Sequence, residues 1–305
     1  MPKKDAVKNR IIETAEDYQL TKQLGDFTEE KAYLARELIQ ATLPHRQPKG
    51  SPPEWVRKNG HLTLSIRPGY KTDEKTGERV CIGYPSGTIP RLLLYWLNTE
   101  AKKTKSRKIK LGDSLNGFLV DLGLNPATGG GKRGDAHRCR EQMERLFRAS
   151  LSFQYSTPQF DSWLDMQVAP KGQMWWDFKN PDQRDLFNSW IELSEDFYNA
   201  ITANAVPLNM EVLRAIKNSA LALDLYAWAV HRSYAAHKRG KRYFVSWQIL
   251  SNQFGSQYAN PKDFKRACKE ALNKIEVLHP ELNLSQVRGG IEVATPARLI
   301  TSEGG

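Results

Sequence analysis

The hydrophobic periods of the sequence predict an α+β chain: two tandem winged-helix domains, a variant of the helix-turn-helix, behind an N-terminal helical appendage. Three observations predict it. Between Thr88 and Tyr155 the periods run helix, short strand, helix, loop, helix, strand, which is the order of elements in a winged helix. The same order returns roughly 130 residues later, as an internal repeat. In both copies basic residues gather at the opening of the last helix, the part that a winged helix offers to the major groove.

Taken in order, residues 1–26 are polar and lack a sustained period. Asp26 to Leu43 read as an amphipathic helix, with Asp26 and Glu29 as a capping box and Tyr33, Leu34, Leu38 and Ile39 as its apolar face. Pro44 stops it, and Pro44, Pro48, Pro52 and Pro53 with Gly50 mark a stiff linker. These residues give a boundary: 1–58 as appendage and linker, 59–205 as the first domain and 206–305 as the second. Residues 61–66 alternate as a strand and pair with 80–82 in an expected hairpin, joined through a turn containing Asp73, Glu74 and Gly77.

A helix from Thr88 to Lys102 has an apolar centre, Leu92 to Leu97, that implies burial on most sides. After a basic run from Lys102 to Lys110 come a short strand ending at Leu111 and a helix capped by Asp113 or Ser114 and ended by Gly123. A glycine-rich loop, Thr128 to Gly134, precedes a helix from Asp135 to about Ser150, and Leu151, Phe153 and Tyr155 then alternate as a strand. In the second copy a single helix is expected from Asn209 to His237. Leu225-Tyr226-Ala227-Trp228 answers Leu94-Tyr95-Trp96, and Ser246 is the expected cap of the next helix. The basic run Lys238-Arg239-Gly240-Lys241-Arg242 answers Lys102 to Lys110. Cys139 to Leu146 and Cys268 to Ile275 share, in register, the pattern cysteine, base, acid, apolar, base, apolar. Residues 157–205 are read as an elaborated wing and connector.

The formal charge of +11, from 45 Lys and Arg against 34 Asp and Glu, favours a polyanionic partner. No apolar run approaches the roughly eighteen residues of a membrane span. No secretory signal is visible, so a cytoplasmic location without membrane contact is expected. Cys81, Cys139 and Cys268 are too few and too far apart for a disulfide framework or metal knuckle and are expected as reduced core residues. The Walker, GxSxG and HExxH patterns are missing, and the histidines are scattered. The expectation is therefore a protein that is not an enzyme and uses neither metal nor cofactor.

DNA binding needs cations that replace counterions on phosphates and side chains at a helix front that reach base edges. In the first copy Lys132, Arg133, His137, Arg138 and Arg140 occupy those positions, and Gly129 to Gly131 with Gly134 permit close approach of a phosphate. In the second copy Gln257, Tyr258, Asn260, Lys262, Lys265, Arg266 and Lys269 take the same place. The competing reading is a solvated helix face, and the repetition of the pattern weighs against it. Lys102, Lys103, Lys105, Arg107, Lys108 and Lys110 fit either a phosphate contact or a solvated loop. Trp163, Trp175, Trp176, Phe178 and Trp190, interspersed with Asp161, Asp165, Asp177 and Asp185, read as core or interface rather than as a base-stacking surface.

Tyr84-Pro85-Ser86-Gly87-Thr88-Ile89-Pro90-Arg91-Leu92-Leu93-Leu94-Tyr95-Trp96-Leu97, then Gly112 to Leu119 and the Arg/Glu-rich helix 138–148, resemble plasmid-encoded RepA replication proteins of Gram-negative bacteria. The resemblance spans about residues 60–300 and is strongest over 84–155. It implies an initiator that binds repeated double-stranded DNA sites at a plasmid origin, opens adjacent DNA and recruits host replication initiator and helicase proteins. It also implies dimers and monomers in different roles. A transcriptional repressor with the same fold, favouring a palindromic site, is the alternative, and a nicking enzyme is a more distant one.

Overall fold

The computed structural model describes residues 31–128, 134–175, 188–203, 205–255 and 258–294. Lys132, Arg133, Gln257, Gly129 to Gly131, Trp176 and Phe178 lie outside them, as does the start of the expected N-terminal helix. The architecture is mixed α+β, as expected, and the described residues form two compact units, one spanning Tyr33–Ala205 and the other running from Val206, with Lys31 and Ala32.

The chain departs first at its start. Over the expected helix stand a strand β1 (Lys31–Ala35) and a five-residue helix α1 (Arg36–Gln40). Burial alternates along β1, with Ala32 and Leu34 inside. The Tyr33 amide donates to Thr99 Oγ1 at 3.1 Å instead of bonding along a helix. Tertiary burial thus overrides the helical period. The proline-rich stretch that follows is held in place: the Pro52 carbonyl accepts from the Tyr84 hydroxyl at 2.7 Å, and burial pushes that phenol up to about 12.

Strands β2 (Trp55–Asn59) and β3 (Leu62–Arg67) form one antiparallel pair, and β4 (Tyr70–Thr72) and β5 (Arg79–Cys81) another. The expected hairpin between 61–66 and 80–82 is therefore corrected. The turn at Asp73 to Gly77 does exist, fixed by Asp73 Oδ1 accepting from the Lys75 and Thr76 amides. Those amide hydrogen bonds, Thr76 first, hold the Asp73 carboxyl below its usual range. The strand paired through the turn is 70–72, because Pro68-Gly69 ends β3 before it.

Helix α2 (Ile89–Thr104) is the axis of the first unit. Leu93 and Leu97 are fully buried, and Trp96 packs edge-on against Phe118 with ring centroids 5.1 Å apart. Strand β6 (Lys108–Lys110) and helix α3 (Leu115–Asp121) follow, and Ser114 rather than Asp113 caps α3 by accepting from the Gly117 amide. Helix α4 (Asp135–Arg148) packs against α2 and α3 through Cys139, Met143, Leu146 and Phe147.

The chain then makes a long hairpin, β7 (Ser150–Thr157) with β8 (Phe160–Gln167), which joins β3 to complete a four-stranded sheet in the order β2-β3-β7-β8. Only beyond it do β9 (Lys171–Gln173) and β10 (Trp190–Glu192) return to β6, in the order β6-β10-β9. Helix α5 (Glu195–Ala203) closes the unit.

In the second unit β11 (Ala205–Asn209) leads into α6 (Met210–Ile216) and α7 (Ala220–Arg239). One helix was expected here; two exist because Ser219 is an N-cap, its hydroxyl accepting from the Ala222 amide at 3.2 Å. Gly240, with φ of 61°, ends α7 in the left-handed conformation that suits glycine.

Strand β12 (Tyr243–Ser246), helix α8 (Trp247–Phe254), helix α9 (Pro261–Leu278), and strands β13 (Leu284–Val287) and β14 (Gly290–Val293) complete it. Their sheet order is β12-β14-β13. In both units, then, the strand after the long helix pairs antiparallel with the last strand, which lies in the middle. The matched octapeptides keep register in three dimensions: Cys139 and Cys268, Met143 and Leu272, and Leu146 and Ile275 are all buried.

Two further expectations are corrected. Cys81 is exposed, on the short β5, while Cys139 and Cys268 are buried. Trp163 and Trp175 are 70% and 56% exposed, so neither belongs to a core. Trp163 lies on the face of the four-stranded sheet opposite Leu64, Leu151 and Phe153, where alternation carries it into solvent.

Candidate nucleic-acid interface

Helix α9 is divided by its sequence into two faces. Phe264, Cys268, Leu272 and Ile275 recur at helical spacing and are buried, which turns Lys262, Lys265, Arg266 and Lys269 outward. Lys265 and Lys269 place their ammonium groups 5.5 and 5.8 Å from the ring centroid of Trp247, the first residue of α8. That ring orients both stems without neutralising either charge. Arg266 pairs with Asp263 at 2.9 Å, but both side chains are largely exposed, so the pair is a weak one that a phosphate can displace.

Two of the expected residues hold the helix start rather than project from it. Asn260 is the N-cap, its side-chain oxygen accepting from the Lys262 amide at 2.9 Å, with Pro261 in the first turn. Tyr258 packs edge-on against Phe264, centroids 5.4 Å apart.

The basic run that spans the end of α7 lies open. Arg239 donates to the Tyr243 hydroxyl at 2.9 Å. Lys238, Lys241 and Arg242 are exposed and have no ion pair among the described residues. Arg288 was missed by the sequence reading. It stands exposed at the turn between β13 and β14, beside Gly289 at φ of 93°. The available signal was Arg288-Gly289-Gly290 between two alternating strands, a turn with a cation at its tip.

The first unit differs. Helix α4 does carry His137, Arg138 and Arg140 in its opening turns, with His137 half-buried and the arginines exposed. Arg138 is paired with Asp135 at 3.0 Å and Arg140 with Glu144 at 3.3 Å. Glu144 also takes Lys71 at 3.6 Å, and Asp135 accepts from the Asn125 amide at 3.1 Å. Arg145 is turned inward, to Glu141 and to the Ile82 carbonyl at 2.7 Å.

The first basic run is engaged in part, while its Lys105 and Lys110 are exposed. Lys102 lies 4.0 Å from the Tyr33 ring centroid and Lys108 4.3 Å from that of Trp190. Lys103 pairs with Glu100 at 3.5 Å, and Arg107 reaches both Glu192 and Glu195 at 3.7 Å. The sequence showed these cations as equivalent to those at the end of α7; the long-range acids Glu192 and Glu195 on Arg107 and the rings of Tyr33 and Trp190 beside Lys102 and Lys108, invisible to local reading, make them different.

Comparison with known proteins adds a family. Residues 84–249, just over half of the 305, match the family model described as plasmid encoded RepA protein. No curated protein matches the chain. A solved structure of domains 2 and 3 of RctB, from selenomethionine derivatives, is similar to it at 11% identity and a TM-score of 0.47, covering 84% of this chain and 94% of that one.

Proposed function

Because the chain belongs to the family of plasmid-encoded RepA proteins, we propose that it initiates plasmid replication by binding repeated duplex sites at the origin, without enzymatic activity of its own. Both units serve as winged helices in this reading. The shared sheet order, β6-β10-β9 and β12-β14-β13, supports the assignment, with β7 and β8 inserted between helix and wing in the first unit. Recruitment of host replication proteins belongs to the same proposal through the family.

The observation that carries DNA binding is the second unit's cationic surface. Lys262, Lys265, Arg266 and Lys269 stand on one helix face, and that unit also carries exposed Lys238, Lys241, Arg242 and Arg288. Helix cations aimed at base edges, flanking cations on phosphates and a basic wing tip are the parts such a unit needs. The acid-paired α4 serves the first unit as a weaker reader, whose ion pairs must open before Arg138 or Arg140 can reach DNA.

Footprinting of the full-length protein on its plasmid's origin DNA, run as a salt series, tests this. Regular protection over direct repeats, weakening steeply with salt, is the expected result. Protection of a single palindrome would transfer the reading to a repressor, and no protection at low salt would end it. A specific nick in supercoiled plasmid with Mg2+ or Mn2+ would overturn the non-enzymatic part.

A further inference from the structure

The first unit holds a cleft of about 320 Å³ that none of the residues assigned to duplex DNA lines. It lies between the β4–β5 hairpin, the end of α4 and β9. Three cations border it, Arg79, Arg148 and Lys171, with the aromatic ring of Tyr70, and no carboxylate is among the described residues lining it. Its floor is apolar: Phe147 and Ile191 are 3% and 1% exposed.

The cations are set by structure. A Cβ at Gly69 would stand 2.5 Å from Arg148 Cβ, so only glycine lets the hairpin close on the last turn of α4. Arg148 Nη1 then donates to the Tyr70 carbonyl at 3.4 Å, and the Arg79 guanidinium lies 5.6 Å from the Tyr70 ring centroid. Lys171 pairs with Glu192 at 3.6 Å, but Glu192 also pairs with Arg107, so its charge is divided between two cations.

Guanidinium and ammonium groups that line one cleft select an anion, and the guanidinium fork matches phosphate oxygens. A half-exposed tyrosine beside an apolar floor takes a planar ring by stacking. The volume falls at the lower end of small-molecule sites, which run from about 300 to 1,000 Å³. We propose that this cleft binds a nucleoside phosphate, the phosphate held by Arg148, Arg79 and Lys171 and the base laid against Tyr70. Two sources supply that chemistry, a free nucleotide and one unit of a single DNA strand.

The full-length protein is titrated with ATP, by calorimetry, and separately with a fluorescent oligothymidylate, by anisotropy. Arg79→Ala, Lys171→Ala, Tyr70→Leu and Tyr70→Phe are measured beside the parent, with a melting curve for each. These side chains are exposed, so the variants should melt as the parent does. At least one probe should bind saturably, weaken about tenfold in Arg79→Ala, Lys171→Ala and Tyr70→Leu, and survive Tyr70→Phe. ATP binding assigns the free nucleotide, and oligonucleotide binding alone assigns the strand. The inference is overturned if neither probe saturates at millimolar ATP or micromolar oligonucleotide, or if Arg79→Ala and Lys171→Ala leave binding unchanged. Duplex footprints of these variants should match the parent's; their loss would place the cleft in the duplex surface and equally overturn it.

Discussion

At the scale of single residues, Arg91 shows how far a role can lie from its sequence neighbourhood. In a basic chain it stands within a stretch of apolar residues, and it is 3% exposed. It donates to the carbonyls of Leu43 at 2.6 Å, Pro44 at 3.2 Å and Gly87 at 2.7 Å. One cation thereby fastens the proline-rich segment to α2, through acceptors that no local pattern could have named. Hydrogen bonds to a charged group contribute about 1.5–3 kcal/mol, and losing them leaves buried carbonyls unsatisfied. Arg91→Met should therefore lower stability by about 3 kcal/mol or more in urea unfolding; a change within about 0.5 kcal/mol, the ordinary range for surface sites, would mean that these bonds hold nothing. The cysteines give a second prediction. Burial pushes the Cys268 thiol up to about 12 and Cys139 further, whereas Cys81 is exposed. A thiol reagent should modify one cysteine in the native protein and all three in denaturant. The native state keeps the two buried thiols protonated while the unfolded chain ionises. Their contribution to stability is thus full below the ordinary thiol range and is lost as pH rises through it toward about 12.

At the scale of elements, what could be read was what local chemistry decides. The helix 135–148, the caps Ser114 and Ser246, and the glycine stop after α3 at Gly123 follow from spacing and capping residues and stand where expected. What could not be read was which strands pair. Strand β7 follows α4 directly, yet it leaves for β3, some eighty residues back in sequence, and the return to β6 waits for β10. Pairing at that distance is set by packing of Leu64, Ile66, Leu151 and Phe153 on one face, which periodicity registers only as alternation. The candidate site divides in the same way. Spacing put Lys265 and Asn260 together at the front of α9, but it is in the fold that one faces out and the other caps. Asn260→Ala should cost about 1 kcal/mol of stability, the usual cost of a lost cap, with DNA binding changed little. Lys265→Ala should do the reverse, weakening origin binding with an unchanged melting temperature. Equal effects of the two on binding, in a mobility-shift titration, would show that the helix start is not divided between support and contact.

At the scale of the whole molecule, the sequence showed two copies of one plan and a charge of +11, but not how differently the copies hold that charge. On α4, Arg138 and Arg140 answer to Asp135 and Glu144; on α9, Lys265 and Lys269 answer to an aromatic ring, while Arg266 beside them pairs with Asp263. An ammonium on a ring remains a full charge for a phosphate to use, whereas a guanidinium on a carboxylate must first give up its partner. Salt dependence can separate the two cases. Each phosphate neutralised contributes about −0.9 to the slope of log affinity against log salt, so a double substitution that removes two working contacts lowers its magnitude by nearly two. Lys265→Ala with Lys269→Ala should produce that change. Arg138→Ala with Arg140→Ala should produce a smaller one, because removing each arginine also frees a carboxylate that was already compensated. Equal changes in the two doubles would mean that the ion pairs on α4 open without cost on DNA, and that both units grip the duplex alike. A change only in the first-unit double would reverse the assignment of the stronger grip.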